Sequence, residues 1–224
     1  MHTSTVRCLS TSKYWNELGN GRYQRPIFVA ATRQHVGKTT VSLALMSGLQ
    51  KRFDKVGFIK PVGQQHVPVH SDKLNNTIRV DKDVSLVRER FHLHHIDYED
   101  MSPVIIPRGY TKKFVDGEIE HDKQLANVER AMRNVSESSD IVMCEGTGHC
   151  AVGSIVDANN AKIASLIGAD MVLVANGGLG KIHHAAQPPA YFFVRDIIGR
   201  AFQSACMLMR LFLHPCFESA RFCV

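Results

Sequence analysis

The sequence predicts an α/β fold: a doubly wound, mostly parallel sheet with helices on both faces. Runs of strand character alternate with amphipathic helical segments along the chain. The strand runs, such as "PIFVAA", "DIVMCE" and "DMVLVAN", are nearly continuous in apolar residues, as strands buried on both faces are. Sheets of this kind bind ligands at the carboxyl ends of their strands. The residues that follow the strands here are chemically loaded.

In chain order, "PIFVAA" is a short strand that leads directly into the loop "TRQHVGKTT". In "KTTVSLALMSGLQKRF" the residues Val41, Leu45, Leu49 and Phe53 recur at helical spacing, so Lys38 and Thr39 open a helix. "KVGFIKPVG" is a second strand, stopped by Pro61 and Gly63. The polar stretch from there to about Arg79 reads as loop. "DKDVSLVRERF" is a helix with Asp81 or Asp83 near its N-cap, where a carboxylate satisfies free backbone N–H groups. "MSPVIIPRGYTKKFVDGE" reads as loop with short extended pieces. In "HDKQLANVERAMRNVSE", Leu125, Val128, Met132 and Val135 line one helical face. A buried strand "DIVMCEGTG", a helix "NNAKIASLIGA" and a strand "DMVLVANGGLG" ending in a glycine turn follow.

A chain of 224 residues, 44% hydrophobic and 21% charged, can bury one respectable core. The net charge of +6 is spread thinly, with no dense Lys/Arg block, which argues against a nucleic-acid partner. No uncharged apolar run approaches the roughly 18 to 20 residues that cross a bilayer, and the most apolar segment, Ala205 to Leu213, is interrupted by Arg210. A membrane partner is not expected. The six cysteines, at 8, 144, 150, 206, 216 and 223, form no C-x-x-C pair, so reduced thiols and an intracellular compartment are expected. Residues 1–25 lack acids until Glu17, are rich in Ser and Thr, and carry Arg7 and Lys13. They read as a transit peptide or as a plain N-terminal extension, which makes the mitochondrial matrix or the cytoplasm the expected location. The pairs His94–His95 and His183–His184 lack metal-site spacing and read as solvated.

The chemistry gathers at strand ends. After the first strand, Gly37-Lys38-Thr39 places helix-start amides and a lysine where phosphate oxygens bind, with a hydroxyl able to ligate Mg²⁺; a turn and helix cap is the plainer reading. The nucleotide-binding set is Thr32, Val36, Gly37, Lys38, Thr39 and Thr40. Glu145, after the four apolar residues of "IVMC", is placed as a carboxylate that reaches a metal from a buried strand, or as a strand-end acid. Gly146 and Gly148 would let the backbone approach substrate closely. Lys60 either adds a second positive charge for a transferring phosphoryl group or is a solvated strand-end lysine. Asp83 is open between helix capping and metal binding.

Taken together, "AATRQHVGKTT", "GFIKPVG", "VDKDVSLVRERF" and "IVMCEGTG" resemble the dethiobiotin synthetase-like family of P-loop proteins, which includes the nucleotide-binding domain ahead of long phosphate acetyltransferases. The resemblance covers about residues 26–180 and implies a P-loop NTPase-like fold. It implies ATP and Mg²⁺ as cofactors, held by Lys38, Thr39, Asp83 and Glu145, with Lys60 near substrate and γ-phosphate. Lys38 and Lys60 are then the catalytic pair, Thr39, Asp83 and Glu145 the metal ligands. The implied reaction is ATP-dependent ring closure: a small-molecule diamine takes up CO₂ as a carbamate, ATP phosphorylates it, and the second amine expels phosphate. The alternative is a non-catalytic nucleotide-binding module like the acetyltransferase domain. Family loops commonly read G-T-D-T-x-V-G-K-T. Here Ala31 replaces the leading glycine, and Arg33 and Gln34 replace Asp and Thr. An alanine there is harmless if it keeps negative φ.

From about Lys181 the resemblance fades. Residues 181–224 are expected to be a divergent tail, leaving the domain C-terminally truncated or altered; alternatively "YFFVRDII" replaces a lost strand. Apolar surface left open by a missing layer would favour pairing into a homodimer.

Overall fold

The structure, a computed structural model, describes residues 16–18, 22–148, 153–176 and 190–194, with side chains described over 25–148 and 153–175. Residues 1–15 and 19–21 of the expected transit peptide or N-terminal extension, the expected glycine turn after residue 176, His183–His184, most of the tail, and Cys8, Cys150, Cys206, Cys216 and Cys223 lie outside the described residues.

The chain begins with a small antiparallel pair, β1 (Asn16–Leu18) and β2 (Arg22–Gln24). The predicted first unit follows as β3 (Ile27–Ala31), α1 (Lys38–Leu49) and β4 (Val56–Ile59). Next come β5 (Val62–Gly63), β6 (His66–Ser71), β7 (Asn76–Asp81) and α2 (Lys82–Phe91). The next group is α3 (Tyr98–Met101), β8 (Val104–Ile105), α4 (Tyr110–Val115) and α5 (His121–Glu137). The described chain closes with β9 (Ile141–Glu145), α6 (Asn160–Ile167), β10 (Asp170–Asn176) and β11 (Ala190–Val194).

The central sheet has the order β11-β10-β3-β9-β4. Its four inner and edge strands β10, β3, β9 and β4 run parallel, and β11, from the "YFFV" segment, pairs antiparallel with β10. This is the predicted mostly parallel α/β architecture. Helix α1 packs on β3 and β9 beside α2, while α5 packs on β4 and β9 beside α3 and α6. The helical periodicity explains the fit: Val128, Met132 and Val135 of α5 are all fully buried against the sheet. The sheet's own contribution is Val29, Phe58, Ile59, Met143 and Cys144, none more than 1% exposed. Such burial from both sides is what continuous apolar strands require.

Two expectations are corrected. The polar stretch before Arg79 is no loop but the hairpin β6–β7, in register from His66↔Asp81 to Ser71↔Asn76. Val67, Val69, Ile78 and Val80 supply a period-two apolar face that packs on the core, interleaved with His, Pro, Thr and Arg facing outward. Asn75 supplies the positive φ of its turn. The segment "MSPVIIPRGYTKKFVDGE" holds the helix α4, entered through Gly109 in the left-handed region, besides the extended piece β8.

Candidate functional site

The loop after β3 settles where its backbone needs freedom. Ala31 is the last residue of the strand, paired with Val174, and is not among the positive-φ residues. The amide of Thr32 then donates to the Val174 carbonyl at 3.0 Å. The chain turns later, at His35 (φ 60) and Gly37 (φ 91). A Cβ on Gly37 would meet nothing within 4 Å, so glycine is required there by φ and not by space. Val36 between them is buried and anchors the loop to the core. Gly37 delivers the chain into α1, whose first-turn amides lack intrahelical acceptors.

Beside this helix start lies a cleft of about 240 Å³. The loop lines it with Arg33, Gln34, His35 and Gly37 to Thr40; Lys60, Gln64, Gln65, Asp81 to Asp83 and Gly148 complete the wall. Its floor is a buried ionic network. Lys38 Nζ donates to Glu145 Oε1 at 2.5 Å, and the Thr39 hydroxyl donates to the same oxygen at 3.4 Å. Lys60 Nζ lies 2.9 Å from Asp81 Oδ1 and 3.7 Å from Glu145 Oε1, and also donates to Asp83 Oδ2. Glu145 is wholly buried, and its second oxygen, Oε2, has no hydrogen-bond partner. A buried carboxylate with one orphaned oxygen, its other oxygen reached by a threonine hydroxyl, is a donor set that a hard cation would complete.

The two lysines differ in their electrostatics. Burial pulls the Lys38 ammonium below its ordinary pKa, an effect that Glu145 only partly offsets and that neighbouring Lys60 reinforces. Lys60 is also desolvated, yet the carboxylates of Asp81, Glu145 and Asp83 outweigh burial and hold it above its ordinary value. Burial pushes the Asp83 carboxyl up, but Lys60, with Lys38 and Lys82 further off, draws it below the usual carboxylate range. Cys144, the neighbour of Glu145 on the inner strand β9, has its thiol pushed up by complete burial, which disfavours the thiolate.

The structure brings Lys38, Thr39, Lys60, Asp83 and Glu145 into this one network. Gly37, Thr40 and Gly148 line the cleft above it. Thr32 and Val36 do not line it: the first bonds back to the sheet through its amide and the second is core. Gly146 is explained by packing. Its amide continues the sheet by donating to Val29 O at 2.9 Å, and a Cβ there would stand 2.6 Å from Asn160 Oδ1 and 2.8 Å from Phe28 Cε1. Asn160, at the start of α6, accepts from the Thr147 amide at 2.9 Å and so pins the segment after β9. His94 and His95 are exposed.

Sequence reasoning left Asp81 as no more than a candidate helix cap. It is one, accepting from the Asp83 amide at 3.0 Å, but it is also 1% exposed and paired with Lys60. The visible signal was a second acid two residues before Asp83. Among the described residues no group of three or more His, Cys, Asp and Glu side chains could by itself hold a metal ion, and no helix is long and apolar enough to cross a membrane.

A family model described as "AAA domain" matches residues 25–191. Over 152 residues the chain is 30% identical to a phosphate acetyltransferase of Nitrosomonas europaea, covering 66% of this chain and 19% of that protein. It is 24% identical over 158 residues to an ATP-dependent dethiobiotin synthetase of Methanococcus vannielii, covering 70% of this chain and 68% of the synthetase. With the corresponding synthetase of Methanocaldococcus jannaschii it shares 25% over 165 residues, 70% of this chain and 69% of the other. The match thus spans only a small part of the acetyltransferase's length.

Proposed function

This chain belongs to the AAA domain family of P-loop proteins, and we propose that it binds Mg-ATP and transfers the γ-phosphoryl group to a small carboxylate or carbamate, as in the cyclo-ligase chemistry of dethiobiotin synthetases. One observation carries the reading: two buried lysines, one opening α1 and one directly after β4, converge on a single buried glutamate beside the open start of α1. A triphosphate over that helix start gains its amides and the charge of Lys38. Lys60, held at the other side of the same cleft, faces the acceptor and balances charge that develops on the equatorial oxygens during transfer. Thr39, Asp83 and the free oxygen of Glu145 would hold the metal, which when bound neutralises phosphate charge. The acceptor oxygen attacks the γ-phosphorus, ADP departs, and an amine of the same acceptor displaces phosphate to close a ring.

Mg-ATP binding by calorimetry and phosphate release, for wild type and Lys38→Ala, with and without a diamine and bicarbonate, test this. Binding by wild type, abolished in Lys38→Ala, with release stimulated by diamine and bicarbonate is the expected result. A second reading is favoured by Arg33, Gln34 and His35 on the cleft wall and by the acetyltransferase match: a nucleotide-binding regulatory module. Binding without stimulated release would support that module, and absence of binding would remove both.

A further inference from the structure

We infer that Asp81 is a positioning residue for this site, one that holds Lys60 and the turn at 63–65 in working geometry while the other carboxylates engage the metal. The inference rests on the phosphoryl-transfer reading for its catalytic consequence, though its geometric part stands alone. A helix cap needs one oxygen accepting one amide, on a side chain free to face water. Asp81 uses both oxygens: Oδ1 accepts from the Asp83 amide and pairs with Lys60, while Oδ2 accepts from the amides of Gln64 at 3.0 Å and Gln65 at 3.4 Å. Its own amide donates to Ser102 Oγ at 3.0 Å, so it is fixed from behind as well.

The surrounding chain is shaped to admit it. A Cβ on Gly63 would stand 2.7 Å from the Asp81 Cβ and 2.8 Å from its Oδ2, so glycine at 63 leaves room for this carboxylate. Three carboxylates surround Lys60, but Asp83 and Glu145 belong to the donor set proposed for a metal. Asp81, its oxygens committed to backbone amides, is the one that stays with Lys60 when a cation draws on the others. Gln64 and Gln65, whose amides it orders, line the cleft opposite the phosphate-binding loop.

Asp81→Ser keeps a good helix cap but is too short to reach Lys60 or the turn, and Asp81→Asn keeps shape without charge. Expected for Asp81→Ser are unchanged helix content by circular dichroism, at least tenfold faster hydrogen exchange at the Gln64 and Gln65 amides, and kcat lower by about 10²-fold with KM for Mg-ATP within threefold. Asp81→Asn is expected to fall between Ser and wild type in both readouts. Gly63→Ala, which leaves every charged group in place and crowds Asp81, is expected to reproduce the faster exchange and the kcat loss. Wild-type protection at residues 64 and 65 in Asp81→Ser would overturn the clamp, and wild-type kcat would overturn the positioning role. A wild-type protein that binds no Mg-ATP would defeat the functional reading instead, and the exchange measurement would still decide the clamp.

Discussion

Replacing the buried Lys38–Glu145 pair one partner at a time tests the central electrostatic claim. The perturbation is Glu145→Leu and Lys38→Met, singly and together. The two groups are 2.5 Å apart and 8% and 0% exposed. At an effective dielectric of about 20 their attraction is about 7 kcal/mol, against a desolvation penalty of several kcal/mol for each buried ion. That penalty already prevails at Lys38, whose pKa lies below its ordinary value despite the glutamate beside it. The intact pair therefore stabilises little, while half of it is costly. Glu145→Leu strands Lys38, and Lys60 keeps Asp81 and Asp83. We expect a loss of about 3 to 5 kcal/mol, a fall in Tm of about 10 °C for a chain of this size. Lys38→Met is expected to cost less, because Glu145 retains Lys60 at 3.7 Å. The double variant is expected within about 1 kcal/mol of wild type or above it. Urea unfolding followed by circular dichroism at neutral pH measures all four corners of the cycle. Additive single losses, with a coupling below about 0.5 kcal/mol, would refute the reasoning.

Ala31→Gly should lower stability by about 0.5–1 kcal/mol without raising nucleotide affinity, because residue 31 is strand and not turn; a tighter binder by calorimetry would contradict this. Gly146→Ala should cost about 1–3 kcal/mol through overpacking against Asn160 and Phe28, read by thermal melting. The Asp83 carboxyl is held below its ordinary value of 3.8 by Lys60, so its contribution is present above that pH and is lost as pH falls through the lower folded value. Unfolding curves of wild type and Asp83→Asn should accordingly converge on the acid side and separate towards neutrality. A constant gap across that window would assign the difference to something other than this carboxylate.

What the sequence made legible was whatever repeats or repels water. Strands β3, β9 and β10 are apolar runs, and α5 shows its buried face in the spacing of Val128, Met132 and Val135. The convergence of Lys38 and Glu145 was readable because Glu145 ends one parallel strand and Lys38 opens the helix reached by the loop after the neighbouring one, on the side of the sheet where the fold gathers ligand-binding groups. The β6–β7 hairpin was not, since His66, Pro68, His70, Thr77 and Arg79 make its composition polar while only alternate positions are apolar. The second role of Asp81 was hidden because capping already accounted for an acid at that position, and its contacts with Lys60 and Gly63 depend on long-range packing. For Gly146, the sequence suggested a close approach to substrate, whereas the structure crowds it against Asn160 and Phe28 of the same chain. Ala31 is the reverse case: a departure from the familiar loop is harmless once its backbone is seen to be strand.

Strand β7 runs into α2 without an intervening residue, so Asp81 ends one and caps the other. Strand side chains alternate faces with a period of two, and a single residue added within β7 would reverse which of them look inward unless a bulge absorbed it. The arm is thus free to drift in composition at its outward positions and in length at its turn, residues 72–75, but not in the count of residues from turn to cap. In this chain the cleft depends on a stretch whose outward-facing residues are expendable, while its inward-facing residues, Asp81 among them, and their number are not.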